Sequence, residues 1–118
     1  MAEQYHEPVD ELTSKDRDFT RALVSLKEEI EAIMWYQQRA SATKDQAIRE
    51  VLEHNRDEEM EHAAMLLEWL RRNMPGWDKA LRTYLFTSEP LTQIEEEAMG
   101  GEESSSGGDL GLRKIKRG

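Results

Sequence analysis

The feature that most constrains this chain is a regular alternation of four- and three-residue spacings along residues 48–69. The positions in phase are Ile48, Leu52, Asn55, Glu59, His62, Leu66 and Trp69. This spacing puts all seven side chains on one face of a helix. The apolar ends of the face predict packing against another helix. Its middle is polar, and a carboxylate at a helix interface is costly unless another group pairs with it.

A second periodic stretch, from about Ser14 to Arg39, predicts the helix that packs against the first. Its apolar positions are Phe19, Leu23, Leu26, Ile30 and Ile33, and the adjoining line of the same face carries Glu29 and Tyr36. Thr43 with Gln46 three residues later predicts a capping box, so the other long helix is expected from about Lys44 to Asn73. Together they predict an all-α fold built on an antiparallel two-helix hairpin.

The rest of the chain divides by composition. Short helices are expected over residues 77–86 and from Leu91 to about Ala98, the latter with too little apolar surface to stand alone. Four basic residues against one acidic residue give residues 109–118 a net charge of +3, which leaves −12 on the rest of the chain. We therefore predict a mobile N-terminal arm (1–12), a helical domain (13–98), a flexible linker (99–108) and a docking peptide (109–118).

Composition excludes several classes of function. The net charge of −9 argues against nucleic acid as a partner. Apolar runs are too short for a membrane span, and no secretion signal is recognised at the N-terminus. The chain has no cysteine, which fits a cytoplasmic protein and excludes thiolate metal sites. Any metal must be held by oxygen and imidazole groups, which favours Fe, Mn, Mg or Ca over structural zinc.

The polar middle of the long face predicts such a metal site. Glu59 and His62 lie one helical turn apart and can point at a single ion, and Glu29 lies on the facing helix. A lone hairpin cannot bury its apolar faces, so we expect two copies to form a four-helix bundle. A dimer then supplies four glutamates and two histidines, the ligand set of carboxylate-bridged di-iron bundles. Oxidation of Fe(II) by O2 is the expected reaction.

Two alternatives compete with this interpretation. One is a non-enzymatic helical assembly that binds divalent metal only to hold its dimer together. The other is a metal-free scaffold or adaptor in which the buried Glu and His satisfy each other.

Four segments, at residues 28–39, 54–65, 67–72 and 82–87, carry a dense resemblance to the encapsulated ferritins. The resemblance covers about residues 6–96 and includes Glu29, Glu59 and His62. The end of the chain, with its Leu110-Gly111-Leu112, is similar to an encapsulin-targeting peptide.

This resemblance implies a homodecamer of five dimers, with a di-iron ferroxidase centre at a dimer interface. It implies Glu29, Glu59 and His62 as ligands of two Fe ions per interface, with Ca, Mn or Zn as possible surrogates. The family's secondary metal site, on the route inward, maps to Glu28 and Glu31, with Trp35 beside it, and the tyrosine of the family's site maps to Tyr36. The resemblance further implies cargo status inside an encapsulin shell, where iron mineral is stored, with the C-terminal tail as the shell-binding element.

Overall fold

A computed structural model describes the backbone of residues 4–105 and the side chains of residues 4–100. Within that part of the chain every regular element is helical, which confirms the predicted all-α fold. A short 3-10 helix, Val9–Glu11, precedes four α-helices: α1 (Ser14–Ala42), α2 (Gln46–Asn73), α3 (Pro75–Tyr84) and α4 (Leu91–Ser105). None of the described helices combines the length and apolarity needed to cross a lipid bilayer.

Helix α1 begins at Ser14, as predicted, because the residue before it is a strong N-cap. The Thr13 hydroxyl accepts a hydrogen bond from the Asp16 backbone N–H at 3.0 Å, and the Asp16 carboxylate accepts one from the Thr13 N–H at 3.2 Å. This reciprocal capping box satisfies two backbone donors that the first helical turn leaves free. Upstream, Arg17 donates to the Val9 carbonyl at 2.6 and 3.1 Å, so the 3-10 helix within the predicted arm (1–12) is tied to α1.

The capping box predicted at Thr43 and Gln46 is wrong. Thr43 instead ends α1, and Asp45 caps α2 by accepting a hydrogen bond from the Ile48 N–H at 3.0 Å. The Thr43 hydroxyl accepts from the Asp45 N–H at 3.2 Å, which closes the short turn. Asp is at least as good an N-cap as Thr, and its position lets α1 run three residues beyond the expected end at Arg39.

Side-chain contacts show that α1 and α2 lie antiparallel. At one end the rings of Phe19 and Trp69 meet edge to face, with centroids 6.0 Å apart. At the other, Arg56 of α2 donates to the Gln37 side chain of α1 at 2.7 Å. The start of α1 thus contacts the end of α2, and the end of α1 contacts the first half of α2. This pattern defines an antiparallel hairpin.

The hairpin by itself buries very little apolar surface. Within residues 4–74 only Ala22, Ala40 and Leu70 count as buried hydrophobic side chains. Large apolar side chains remain exposed along both helices: Leu23, Ile30, Met34, Trp35, Ile48, Val51, Met60 and Met65. A soluble monomer rarely leaves so many large apolar groups uncovered, so this unit is expected to have a covering partner.

The chain divides into two compact units, Met1–Met74 and Pro75–Gly118, and the second contains α3 packed on α4. Helix α3 starts two residues before the predicted range (77–86), because Pro75 fits the first turn of a helix. It ends at Tyr84, and Phe86 follows with a left-handed φ of 61°. That conformation cannot continue a right-handed helix.

The predicted end of the last helix near Ala98 is wrong, because α4 continues to Ser105. It therefore includes part of the predicted linker (99–108), while residues 106–118 lie outside the described part of the chain. Glycine in a helix costs about 1 kcal/mol relative to alanine but does not forbid helical backbone angles. Good helix formers precede Gly100, and Ile94 and Met99 are each 8% exposed. The burial of these two side chains therefore stabilises the helix past Gly100.

Candidate metal centre

Three side chains that the sequence singled out meet between α1 and α2. The Nδ1 atom of His62 lies 2.8 Å from Oε1 of Glu59, one turn earlier on α2, and 3.3 Å from Oε2 of Glu29 on α1. One potential ligand atom from each of the three lies within 4.8 Å of the other two. Within the described residues no other group of three or more acidic or histidine side chains meets this criterion. The geometry thus brings together the predicted residues, and their role as metal ligands stays a prediction.

The cluster is half-buried, and His62 is its most exposed member. The side chains of Glu29 and Glu59 are each 23% exposed, while that of His62 is 51% exposed. The two carboxylates are thus partly removed from water, and the imidazole lies at the opening. A second molecule or an ion can reach the group from that side.

The cluster raises the pKa values of two of its members, Glu29 and His62. Burial, and then the neighbouring Glu59 carboxyl, raise the pKa of Glu29, and His62 only partly offsets them. The hydrogen bond to Glu59 is the main cause that raises the pKa of His62, and Glu29 adds to it. Two carboxylates side by side oppose each other's ionisation, so the metal-free cluster retains protons more readily than isolated side chains would.

Oxygen Oε2 of Glu29 is the least satisfied atom of the cluster. It is buried and accepts no hydrogen bond from the described residues. Nδ1 of His62 carries at most one hydrogen. Because its contact with Glu59 is the shorter one, we assign that hydrogen to the bond with Glu59. The 3.3 Å approach to Glu29 is therefore a close ionic contact without a hydrogen bond. A buried acceptor without a donor costs free energy, and a cation placed among the three groups would remove that cost.

The chemistry of the donor set fits a first-row transition metal. Carboxylate oxygens are hard ligands, and imidazole suits Fe, Zn and similar ions. A divalent cation would neutralise the charge of Glu29 and Glu59 together, and it would supply the missing partner of Oε2. The residues present therefore fit the metal that the sequence predicted.

The other predicted site residues lie on α1 outside this cluster. Glu28 is exposed, Glu31 is half-buried, and Trp35 has 46% of its surface exposed. Tyr36 is half-buried, and the Arg39 guanidinium carbon lies 5.7 Å from its ring centroid. The structure does not bring Glu28 and Glu31 into the three-residue group, and their role as a secondary metal site stays a prediction.

Two arginines near the hairpin turn were missed in the sequence. Arg49 donates to the carbonyls of Ala40 and Thr43 at 3.0 and 2.6 Å, and Arg56 reaches across to Gln37. Both therefore join α2 to α1. The feature of the sequence that could have indicated them is their spacing of seven residues, which places both arginines on one side of α2.

Comparison with known proteins decides the family. A family model described as EncFtn-like matches residues 4–88. The chain belongs to the EncFtn-like family. This confirms the resemblance to encapsulated ferritins that the sequence indicated, and it agrees with the all-helical hairpin.

Two curated proteins resemble this EncFtn-like chain over most of its length. A "Ferritin-like protein" of Thermotoga maritima is 75% identical over 115 residues, which covers 98% of this chain and 100% of the relative. An "Encapsulated ferritin-like protein" of Rhodospirillum rubrum is 53% identical over 104 residues, or 88% of this chain and 73% of that protein.

A solved structure shares the EncFtn-like fold. The crystal structure of a Nitrosomonas europaea protein aligns with a TM-score of 0.71 and 56% identity, covering 73% of this chain and 94% of that chain. At 56% identity the Nitrosomonas europaea protein is a close relative, and its structure supports the hairpin architecture described above.

Proposed function

We propose that this protein is a ferroxidase that oxidises Fe(II) to Fe(III) with O2 at a di-iron centre formed between two copies of the chain. The observation that carries the proposal is the group of Glu29, Glu59 and His62, with ligand atoms within 4.8 Å of one another and a buried oxygen that accepts no hydrogen bond from the described residues. The family supports an iron-related role, since two similar proteins are described as ferritin-like.

Two copies are needed because one chain offers only half of a di-iron ligand set. Three side chains cannot fill the coordination of two metal ions, whereas a symmetric pair gives four glutamates and two histidines. A two-fold interface brings the same patch of both copies together. The half-exposed His62 and the uncovered apolar side chains along both helices support this arrangement. The family resemblance extends it to a decamer of five dimers.

Each ligand has a separate task in the proposed reaction. The carboxylates of Glu29 and Glu59 bind the Fe(II) substrate and stabilise the higher charge of the Fe(III) product, because they are hard anionic ligands. His62 supplies a neutral nitrogen and must give up its Nδ1 hydrogen or turn its other nitrogen toward the ion. Bound iron supplies the electrons, which pass to O2. Metal binding therefore displaces protons from Glu29 and His62, whose pKa values are raised.

We propose further that the protein works as cargo inside an encapsulin nanocompartment, where the oxidised iron is stored as mineral. The description of the Rhodospirillum rubrum relative as encapsulated supports this location. The predicted shell-binding element is residues 109–118, which lie outside the described part of the chain.

The test is O2 consumption after addition of Fe(II), measured together with native mass. Removal of an outer-shell partner of a metal ligand costs about 10–100-fold in affinity or activity. We therefore expect Glu29→Ala, Glu59→Ala and His62→Ala each to slow oxidation at least that much.

Matched controls lie on the same helix. His54 and Glu58 form an exposed pair at 3.5 Å, with side chains 68% and 55% exposed, outside the proposed centre. His54→Ala and Glu58→Ala should leave the rate within about twofold of the parent. Unchanged oxidation in all three ligand variants would sink the proposal. Iron-dependent dimerisation without O2 uptake would favour a metal that only holds the assembly together.

A further inference from the structure

A second polar cavity lies near the turn of the hairpin, apart from the proposed metal centre. Its volume is about 300 Å³, and it is lined by Gln37, Ala40, Ser41, Arg49, Glu53 and Arg56. Gln37 and Ser41 are exposed, so the cavity opens to solvent, while both arginines and Glu53 are half-buried. We propose that this cavity binds a small protonated tetrahedral oxyanion of the hydrogen phosphate class.

Two guanidinium groups line the cavity, and their other contacts hold them in place. Arg49 donates through Nε and Nη2 to the carbonyls of Ala40 and Thr43. Arg56 donates through Nη1 to Gln37 at 2.7 Å and through Nε to Asp57 at 3.0 Å, and its Nη2 forms an ion pair with Asp57 at 2.9 Å. A guanidinium has five N–H donors, so each arginine keeps donors for a ligand. Because the fixed contacts have already restricted both side chains, an anion would lose little affinity to ordering them.

Ser41 adds a hydroxyl donor at the rim. Its Oγ lies 3.4 Å from Nε2 of Gln37, which can donate to it. With that lone pair occupied, the Ser41 O–H is free to rotate toward the cavity, since a hydroxyl carries one donor besides its two acceptor positions. Arginine and hydroxyl donors on several sides are typical of oxyanion recognition.

Glu53 decides which oxyanion the cavity accepts. Its carboxylate lines the same space, with Arg49 four residues before it and Arg56 three residues after it, yet it forms no ion pair with the residues that the structure describes. Arg49 turns toward the carbonyls of Ala40 and Thr43 instead, and Arg56 turns toward Gln37 and Asp57. A carboxylate repels a fully ionised anion, but it accepts a hydrogen bond from one that carries an O–H group.

This combination selects phosphate over sulfate. Inorganic phosphate keeps at least one hydrogen near neutral pH, so it can accept from the arginines and donate to Glu53. Sulfate has the same shape and carries no hydrogen at that pH, which leaves its oxygens facing the Glu53 carboxylate. If the arginines only joined the two helices, neither phosphate binding nor this preference would be expected.

The test is isothermal titration calorimetry of the full-length protein with inorganic phosphate at about pH 7, after removal of all metal by a chelator. Metal-free protein keeps this cavity separate from the proposed di-iron centre, because no bound iron can attract the anion. We expect saturable phosphate binding and sulfate binding at least about tenfold weaker. Absence of saturation at millimolar phosphate, or equal binding of the two anions, would overturn the proposal.

Three variants complete the test. Arg56→Gln should weaken phosphate binding about tenfold, while Arg21→Gln should not change it, since Arg21 lies on α1 outside the cavity and pairs with Asp18. Glu53→Gln keeps both arginines and should reduce the preference for phosphate over sulfate. Circular dichroism checks that each variant is folded. Parent-like binding by Arg56→Gln, or an unchanged anion preference in Glu53→Gln, would contradict the assignment.

Discussion

Glu29→Gln should stabilise the metal-free protein while it weakens metal binding. In the metal-free protein, Oε2 of Glu29 is buried and accepts no hydrogen bond from the part of the chain that the structure describes, and burial and the nearby Glu59 raise the pKa of Glu29. A glutamine of the same shape removes the charge and adds two donors that can reach Glu59. The parent residue is therefore kept at some cost to stability, which is expected of a functional ligand.

The size of the gain follows from the environment of this one atom. A buried acceptor without a partner costs about 1–3 kcal/mol. Because Nδ1 of His62 lies 3.3 Å from this oxygen, their ionic contact relieves part of that cost, and the lower end, about 1 kcal/mol, is the better figure. For a protein of this length, such a change raises the melting temperature by about 4 °C.

Metal should reverse the order of the two proteins. A ligand that binds only the folded state at about 100 times its Kd adds about 2.7 kcal/mol to stability. The parent should gain that amount from Mn(II), which does not react as Fe(II) does, whereas Glu29→Gln should gain little. The parent is thus the less stable protein without metal and the more stable one with it.

Thermal unfolding at a fixed protein concentration, with and without Mn(II), measures both effects. Glu58→Gln is the matched control, since Glu58 is exposed and its one ion pair among the described residues is with the exposed His54. It should follow the parent in both conditions. If Glu29→Gln lowered the metal-free melting temperature, the argument from the unpaired oxygen would be wrong. If it gained as much from Mn(II) as the parent, Glu29 would not be a ligand.

Three other predictions concern protons and the tail. Since the pKa of His62 is raised, protons compete with metal as pH falls, so the affinity for Mn(II) should be lower at about pH 6 than at about pH 8; an unchanged affinity would exclude the imidazole as a ligand. Arg71 and Arg72 lower the pKa of Glu68 to about 2, so the stabilisation from this carboxylate is present above its usual pKa and disappears as pH falls through the lowered one. Glu68→Gln should therefore destabilise the protein at neutral pH and match the parent in strong acid, as measured by urea unfolding. Deletion of residues 109–118 should leave Fe(II) oxidation unchanged and prevent co-purification with a co-expressed shell protein; recovery of the truncated protein inside shells would refute the tail's role.

The sequence predicted the hairpin, and it singled out the three side chains that meet in it, because both depend on helical periodicity. A four-three spacing fixes which side chains share a face. Once two such faces pack antiparallel, Glu29 must lie across from one part of α2. The cluster with Glu59 and His62 therefore followed from register, and the structure shows it at hydrogen-bonding distances.

Local competition explains what the sequence did not predict. Thr43 and Asp45 are both good N-caps two residues apart, and only the packing of α1 against α2 decides between them. The continuation of α4 through Gly100 depends on the burial of Met99, which outweighs the low helix propensity of glycine. The sequence did not single out Arg49 or Arg56 as links between the helices, because a sequence does not show toward which neighbour a long side chain turns.

The half-exposed state of His62 links the folding of the hairpin to the proposed chemistry. A centre enclosed within one chain would have its imidazole and carboxylates equally buried, whereas here the two glutamates are 23% exposed and the histidine 51%. The large apolar side chains that remain exposed along the same two helices show the same shortage of cover. One event, the pairing of two hairpins, would cover those side chains and add the missing ligands. It follows that metal and protomer concentration should act on the same equilibrium: metal should lower the concentration at which dimers form, and dilution should release metal.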